Sequence, residues 1–250
     1  MVALVTGASS GIGRDIAREL HRRGYDLILH GRDFKRLEQL KQELGGNTRV
    51  IAEDLSRAEA CYALYGAVKD EQIDVLVNNA GFGLFGAFDK TDLDIELNML
   101  DTNVRAVHIL TKLFLRDFTA RDSGYILNVA SSAAFSPGPL MASYYAGKAY
   151  ILRLTQAVSC ELKKQGSHVY IGALCPGPVD TNFNSRADVT FAVQSLPSEK
   201  VAQYAVKRML KRNPVIVPGI FMKLTKFFVR LVPDALALRI AYHIQHKKRK

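Results

Sequence analysis

Short apolar runs alternate along this chain with longer stretches whose apolar residues recur every three or four positions. The short runs cover residues 2–6, 26–30, 49–54, 74–81, 125–131 and 169–177. Most are rich in Val, Ile and Leu with little polar alternation, the pattern of strands buried on both faces. Helical spacing covers 11–23, with Ile12, Ile16, Ala17 and Leu20 on one face, then a segment through Leu37, Leu40 and Leu44, then 56–70, 99–121 and 142–165. Strands alternating with helices predict an α/β fold, a doubly wound parallel sheet with helices on both faces.

No internal repeat and no linker rich in Pro, Gly or Ser interrupts this pattern, and the Pro/Gly cluster at 136–139 is too short to separate domains. A chain of 250 residues is expected to form a single domain, 1–250. Residues 181–200 are polar and less periodic, so 181–212 is expected to be a loop or lid over the substrate. No window of about 18 uncharged apolar residues predicts a spanning helix. The opening "MVALVTGASSGIG" has neither a basic leader nor a cleavable apolar run, so no signal peptide is expected. Cys61, Cys160 and Cys175 are scattered and lack metal-site spacing. They predict reduced thiols in a cytoplasmic protein and no metal.

"TGASSGIG", residues 6–13, joins the first strand to the first helix. Gly7, Gly11 and Gly13 permit a tight turn and close approach of backbone to a diphosphate, and the amides opening the helix then meet the anion. Gly7, Ser9, Ser10, Gly11, Ile12 and Gly13 are therefore candidate dinucleotide-binding residues. An acid at the end of the second strand would bind a ribose 2′-hydroxyl and repel a 2′-phosphate. Here "HGRD" puts Gly31 at that place and Arg32 after it. A guanidinium pairs with phosphate through two parallel hydrogen bonds, so the pattern favours NADP(H) over NAD(H). The bland alternative is a solvated Arg32 with Asp33 capping the next helix.

"SYYAGK", residues 143–148, sets two tyrosines ahead of a lysine. A phenol, with a pKa near ~10, is a poor acid at neutral pH, and a nearby ammonium stabilises its anion. On a helix Tyr144 and Tyr145 lie about 40° and about 60° round from Lys148, so geometry leaves the choice between them open. A nucleophilic hydrolase would need a Ser/His/acid set, yet none of His21, His30, His108, His168, His243 and His246 sits in a nucleophile-elbow context.

Five motifs occur in order: "TGASSGIG", "NNAG" (78–81), "NVASS" (128–132), Tyr144-x-x-x-Lys148 and "PGPVDT" (176–181). Together they resemble the short-chain dehydrogenase/reductase family, classical type, over roughly residues 2–210. The resemblance implies a seven-stranded sheet of Rossmann type. It selects Tyr144, four residues before Lys148, as the general acid/base and leaves Tyr145 to packing or pocket lining. It selects Ser131, three residues after Asn128 and 13 before Tyr144, to hold the carbonyl oxygen, with Ser132 as the alternative. Ala130 stands where the family usually has a serine. Lys148 would favour the phenolate and bind the nicotinamide ribose. Asn103 would help to hold a water that relays protons to the lysine; a buried polar residue bonded to helix backbone is the plainer reading.

The same resemblance places Asp54 and Leu55 at the adenine, Asn79, Ala80 and Gly81 at the adenosine ribose, and Pro176, Gly177, Val179 and Thr181 around the nicotinamide. Asp54 could instead cap the helix that begins near Ser56. The implied reaction is hydride transfer between NADP(H) and a carbonyl or secondary alcohol, small to medium and apolar or lipid-like. Variable segments at 82–96, 135–143 and 181–200 would build the substrate pocket. Members commonly form homodimers or homotetramers. A non-catalytic cofactor sensor would be expected to lose the tyrosine or lysine, which this chain keeps.

Charge changes the picture only at the end. The net charge is +10, yet residues 201–250 hold 12 Lys/Arg against one acid, Asp234, while 1–200 are near balance. In "IFMKLTKFFVRLVP", residues 220–233, Lys223, Lys226 and Arg230 recur at helical spacing among Phe221, Leu224, Phe227, Phe228 and Leu231. The segment 213–250 reads as basic and amphipathic. Peripheral contact of 219–250 with an anionic membrane surface and packing on the pocket or on a second subunit are both open. No recognition motif accompanies the tail "HKKRK", so no nucleic-acid partner is expected.

Overall fold

The apolar runs become strands whose side chains divide between two helical layers. A computed structural model of the chain describes residues 1–181, 195–229 and 231–246. The strands are β1 (Val2–Thr6), β2 (Asp26–Gly31), β3 (Thr48–Ala52), β4 (Ile73–Asn78), β5 (Tyr125–Val129), β6 (Tyr170–Leu174), β7 (Val179–Asp180), β8 (Leu196–Pro197) and β9 (Val215–Ile216). The helices are α1 (Gly11–Arg22), α2 (Phe34–Leu44), α3 (Ala58–Gly66), α4 (Leu93–Leu100), α5 (Ala106–Ala120), α6 (Ala142–Lys164), α7 (Ser198–Leu210), α8 (Ile220–Phe228) and α9 (Asp234–His246).

Seven strands form one sheet in the order β3-β2-β1-β4-β5-β6-β9, and every pairing is parallel. The order runs outward from β1 in one direction and from β4 in the other, the doubly wound Rossmann arrangement, so the crevice for a ligand lies where β1 meets β4. Side-chain alternation splits the core. Ala3 and Val5 of β1 share a cluster with Ile16, Leu20 and Leu37, while Leu4 between them joins Leu64, Leu110 and Phe114 on the opposite face. β7 and β8 form a separate two-stranded pair.

Three features depart from the sequence expectations. The helix expected over 99–121 is broken: α4 ends at Leu100, Asp101–Arg105 makes a π-helical turn, and α5 resumes at Ala106. The wider turn changes the facing of the chain there, and Asn103 within it is 2% exposed. The seventh strand, Val215–Ile216, is two residues long beside β6 and too short to display any alternation. The lid expected over 181–212 is corrected over α7. That helix buries Val201, Ala202, Ala205, Val206 and Met209 in the same cluster as Ile16 and Leu20 of α1. Buried Asp15 of α1 accepts hydrogen bonds from Arg18 (2.9 Å) and from Ser198 at the start of α7. Residues 182–194 of the expected lid lie outside the described residues.

A buried polar network crosses the sheet below the crevice. Asn78 Nδ2 donates to Thr111 Oγ1 (3.1 Å) and Asn128 Oδ1 (2.9 Å), and Asn128 Nδ2 donates to Thr155 Oγ1 (3.0 Å). The Thr155 hydroxyl donates in turn to the Ile151 carbonyl at 2.7 Å. These bonds tie β4 and β5 to α5 and α6. In a low dielectric these bonds hold α6 at a fixed height against the sheet, while Asn78 Oδ1 is left buried without a hydrogen-bond partner among the described residues.

Candidate active site

The carboxyl ends of the parallel strands open into a cavity of about 800 Å³. At the end of β1 the chain turns through Gly7, with φ +65°, a left-handed conformation that glycine adopts without steric cost. A Cβ at Gly13 would stand 2.2 Å from Asn79 Nδ2, so only glycine allows α1 to close against the loop after β4. That loop is held from below by Thr6. Its hydroxyl accepts from the amides of Asn79 (2.9 Å) and Ala80 (3.1 Å), while Asn79 Nδ2 donates to the carbonyls of Thr6 (3.0 Å) and Gly7 (3.1 Å). The Ser10 side chain does not cap α1, so the first amides of the helix keep their capacity for an anion. These features fit a dinucleotide diphosphate.

On the opposite wall α6 carries the two titratable groups. Tyr144 and Lys148 are 8% and 5% exposed. Burial pushes the Tyr144 phenol up to about 12; a hydrogen bond with Ser131 opposes the rise and Tyr145 adds to it. Burial also pushes the Lys148 ammonium down to about 8, with Cys175 acting in the other direction. The sequence led to the opposite expectation for the phenol, a pKa lowered by the lysine. Here Lys148 Nζ donates to the Val129 carbonyl at 2.8 Å and lies 5.8 Å from the Tyr144 ring centroid. At that separation, desolvation of the phenolate outweighs the attraction. Tyr145 is half-buried, and its ring occupies the space above Gly138, where a Cβ would come within 2.2 Å of Tyr145 Cγ.

Ser131 follows β5, and its Oγ accepts from the Ala133 amide at 3.1 Å. The neighbouring Ser132 amide donates to the Pro176 carbonyl at 2.8 Å, tying this loop to the one after β6. Asn103 does not point its amide at helix backbone. Its Oδ1 accepts from the Phe82 amide (3.0 Å) and its Nδ2 donates to the Phe82 carbonyl (2.7 Å). A Cβ on Gly81 would lie 2.6 Å from Asn103 Oδ1 and 3.7 Å from Lys148 Nζ, so Gly81 is where the π-helical turn, the β4 loop and the lysine meet.

At the far end of the cavity Gly31 leaves open the place where an acid would stand. Arg32, half exposed, approaches Asp54 at 3.6 Å. Burial raises the Asp54 carboxyl, but hydrogen bonds from Ser56 and the Arg32 charge more than offset this and hold it below its ordinary range. Asp54 Oδ1 accepts from the Ser56 amide (3.1 Å) in a local turn rather than at the start of α3, which begins at Ala58. Asp33 Oδ1 does cap α2, accepting from the Arg36 amide at 3.1 Å. His30, 1% exposed at the end of β2, is held neutral: burial drives its pKa down to about 4 in spite of Asp54 and the Glu53 carbonyl.

The cavity wall brings together Gly7, Ser9, Ser10, Gly11, Ile12, Arg32, Asp54, Leu55, Asn79, Ala80, Gly81, Ser131, Tyr144, Lys148, Pro176, Gly177, Val179 and Thr181. Gly13 and Asn103 are not on that wall and act from behind it. Of the expected substrate segments, Phe82, Ser136, Met141 and Thr181 reach the cavity. Two contributors were not read from the sequence: Thr6, with only its place before the first glycine to signal it, and His30. Packing on the pocket, one of the readings left open for 219–250, is seen: α8 and α9 supply a wall that includes Phe221, Met222, Leu224, Thr225, Ala237 and Ile240.

Comparisons with known proteins point one way. A family model described as short chain dehydrogenase matches residues 1–190. An uncharacterized oxidoreductase of Staphylococcus saprophyticus is 33% identical over 222 residues, 86% of this chain and 94% of the relative. A short-chain dehydrogenase from Sphingobium yanoikuyae, solved in complex with NADPH, superposes with a TM-score of 0.81 at 30% identity, covering 88% of each chain. A short chain dehydrogenase/reductase from Burkholderia phymatum, solved in complex with NAD, superposes with a TM-score of 0.83 at 25% identity, covering 92% of each chain.

Proposed function

The chain belongs to the short-chain dehydrogenase/reductase family, and from that premise we propose that it is an NADP(H)-dependent reductase of apolar ketones or aldehydes. One observation carries the reading: Ser131, Tyr144 and Lys148 share a wall of the cavity that the glycine loop and the helix start of α1 close from the other side. Gly7, Ser9, Ser10, Gly11 and Ile12 would hold the diphosphate, Asp54 and Leu55 the adenine, and Asn79, Ala80 and Gly81 the ribose, with Gly13 behind the loop. Pro176, Gly177, Val179 and Thr181 would shape the nicotinamide end. When bound, the nicotinamide supplies the hydride.

Negative charge then develops on the substrate oxygen. Ser131 donates a hydrogen bond to that oxygen, and Tyr144 gives it a proton as general acid. A phenol raised to about 12 is fully protonated at neutral pH, yet still far more acidic than the alcohol being formed, so the transfer runs downhill. Lys148, with its pKa lowered to about 8, remains mostly charged at neutral pH and stabilises the phenolate left behind. Alcohol oxidation would need that phenolate in advance, so it would depend on the small ionised fraction at neutral pH. Asn103 is a positioning residue: by clamping Phe82 it holds Gly81 beside Lys148.

NADP(H) is favoured because Gly31 offers no carboxylate to repel a 2′-phosphate and Arg32 stands beside that open corner. An apolar substrate is supported by Phe82, Met141, Tyr145 and Met222 on the wall. A cytoplasmic setting and assembly as a homodimer or homotetramer complete the proposal; the former is supported by cysteines that form no disulfide among the described residues. The test is cofactor oxidation across short and long ketones and aldehydes with NADPH and NADH. The proposal expects turnover with NADPH, falling with NADH. A clear preference for NADH would overturn the role of Arg32, and no oxidation with any carbonyl would overturn the reaction.

A further inference from the structure

Helix α8 is inverted. Five large apolar residues, Ile220, Phe221, Leu224, Phe227 and Phe228, fall within an arc of about 120° at 100° per residue. All five are between 52% and 78% exposed, and no residue of the helix is buried. Contacts with the body of the protein come from its other residues instead. Lys226 lies 5.8 Å above the Phe135 ring and Lys223 lies 5.5 Å above Tyr204. Met222 fills the space beside Gly177, where a Cβ would meet its Cγ at 2.7 Å. Leu231 continues the apolar surface, and α9 extends it with Leu236, Leu238, Ile240 and Tyr242, between 39% and 51% exposed. An amphipathic helix that packed by its apolar stripe would show the reverse. A contiguous apolar surface of this kind marks a partner.

The charge of the segment identifies the partner's chemistry. Residues 219–250 carry eight Lys/Arg against one acid, Asp234. Two copies meeting through this segment would bring two net-basic stretches of sequence together, whereas an anionic lipid surface attracts the basic segment and accepts the apolar arc. Among the described residues no helix is long and apolar enough to cross a membrane, so these helices offer a surface contact rather than a span. Phe221, Leu224, Phe228 and Ile240 also line the cavity that holds Tyr144. A second subunit seated there would stopper the mouth, while a bilayer would open it onto an acyl phase.

We propose that α8 and α9 dock the protein on an anionic bilayer and turn the mouth of the cavity toward the acyl chains, so that lipid-like carbonyl substrates enter from the membrane. Docking stands on the surface alone; substrate entry rests on the proposed reductase reading. The full chain is tested by flotation with phosphatidylcholine vesicles and with vesicles that also contain phosphatidylglycerol. The wild-type protein should float with the anionic vesicles only and be released by high salt. The double substitution Ile220→Glu and Phe227→Glu, at positions outside the cavity wall, should reduce flotation by about tenfold or more. It should leave NADPH-dependent reduction of a water-soluble ketone unchanged.

Absence of flotation, or equal flotation of the double variant, would overturn docking. A wild-type dimer that the double variant dissociates, with no vesicle binding, would assign the face to a second copy and overturn it too. Vesicle binding in an enzyme that turns over no ketone at all would leave docking standing and sink the reductase reading and substrate entry.

Discussion

Helices α6 and α8 are both rich in apolar residues, yet they resolve the conflict between burial and charge in opposite ways. α6 runs through the core with Ile151, Leu152 and Leu162 buried, and it buries Tyr144, Lys148 and Thr155 along with them. α8 buries nothing and leaves its phenylalanines in contact with solvent. Each arrangement is costly by itself. Desolvating an ammonium opposes folding, and so does hydrating an apolar arc. The cost on α6 is offset within the chain, by apolar packing and by the hydrogen bond from Lys148 to the Val129 carbonyl. The cost on α8 would be offset by the partner proposed for it. On this reading misplaced polarity marks the proposed reaction and misplaced apolarity the proposed partner.

If the buried polar groups of α6 serve rate rather than stability, Tyr144→Phe should reduce ketone turnover roughly 10²–10⁴-fold. NADPH binding, read by fluorescence titration, and the thermal midpoint should stay near wild type. A variant that unfolds instead would make the hydroxyl structural and dissolve the contrast.

His30 extends the comparison to a buried base outside α6. Its pKa is near 6.5 in the unfolded chain and lowered to about 4 in the folded one. The unfolded state therefore binds a proton first as pH falls, and stability drops between those two values by about 3 kcal/mol. Urea unfolding at several pH values should show that loss in the wild type and a flatter profile in His30→Leu.

Arg32 sits at the exposed rim, where solvent screening weakens charge effects. Arg32→Ala should cut the preference for NADPH over NADH by about tenfold, or about 1.4 kcal/mol, measured as the ratio of kcat/KM values. Smallest of all, Phe227→Ser should change unfolding stability by no more than about 0.5 kcal/mol, because its ring is mostly exposed and meets the ring of Phe228, itself exposed, edge-on. A large loss there would show that α8 is packed like α6.

The sequence was most legible where neighbours along the chain are also neighbours in the site. The glycine loop, "NNAG" and the Tyr144–Lys148 pair each lie within one short segment, and each lines or backs the cavity. Contacts assembled from distant segments were not legible. The bonds joining Asn78, Thr111, Asn128 and Thr155 draw on four separate elements, each residue unremarkable alone. Helix α7 was read as loop because it follows a polar, less periodic stretch and its buried stripe of Val201, Ala202, Ala205, Val206 and Met209 is narrow beneath a polar face. The π-helical turn at Asn103 interrupts a stretch whose apolar spacing reads as one continuous helix. The phenol's rise comes from burial, which the packing around α6 sets and no spacing rule contains.

The most direct measurement is the pH dependence of both directions on one preparation, ketone reduction by NADPH and oxidation of the product alcohol by NADP⁺. With Tyr144 raised to about 12 and Lys148 lowered to about 8, reduction should be flat through neutral pH and fall as the lysine loses its proton. Oxidation should still be climbing at alkaline pH as the phenolate population grows. Oxidation that reaches its plateau below neutral pH would mean a phenol already ionised there, and would contradict the account.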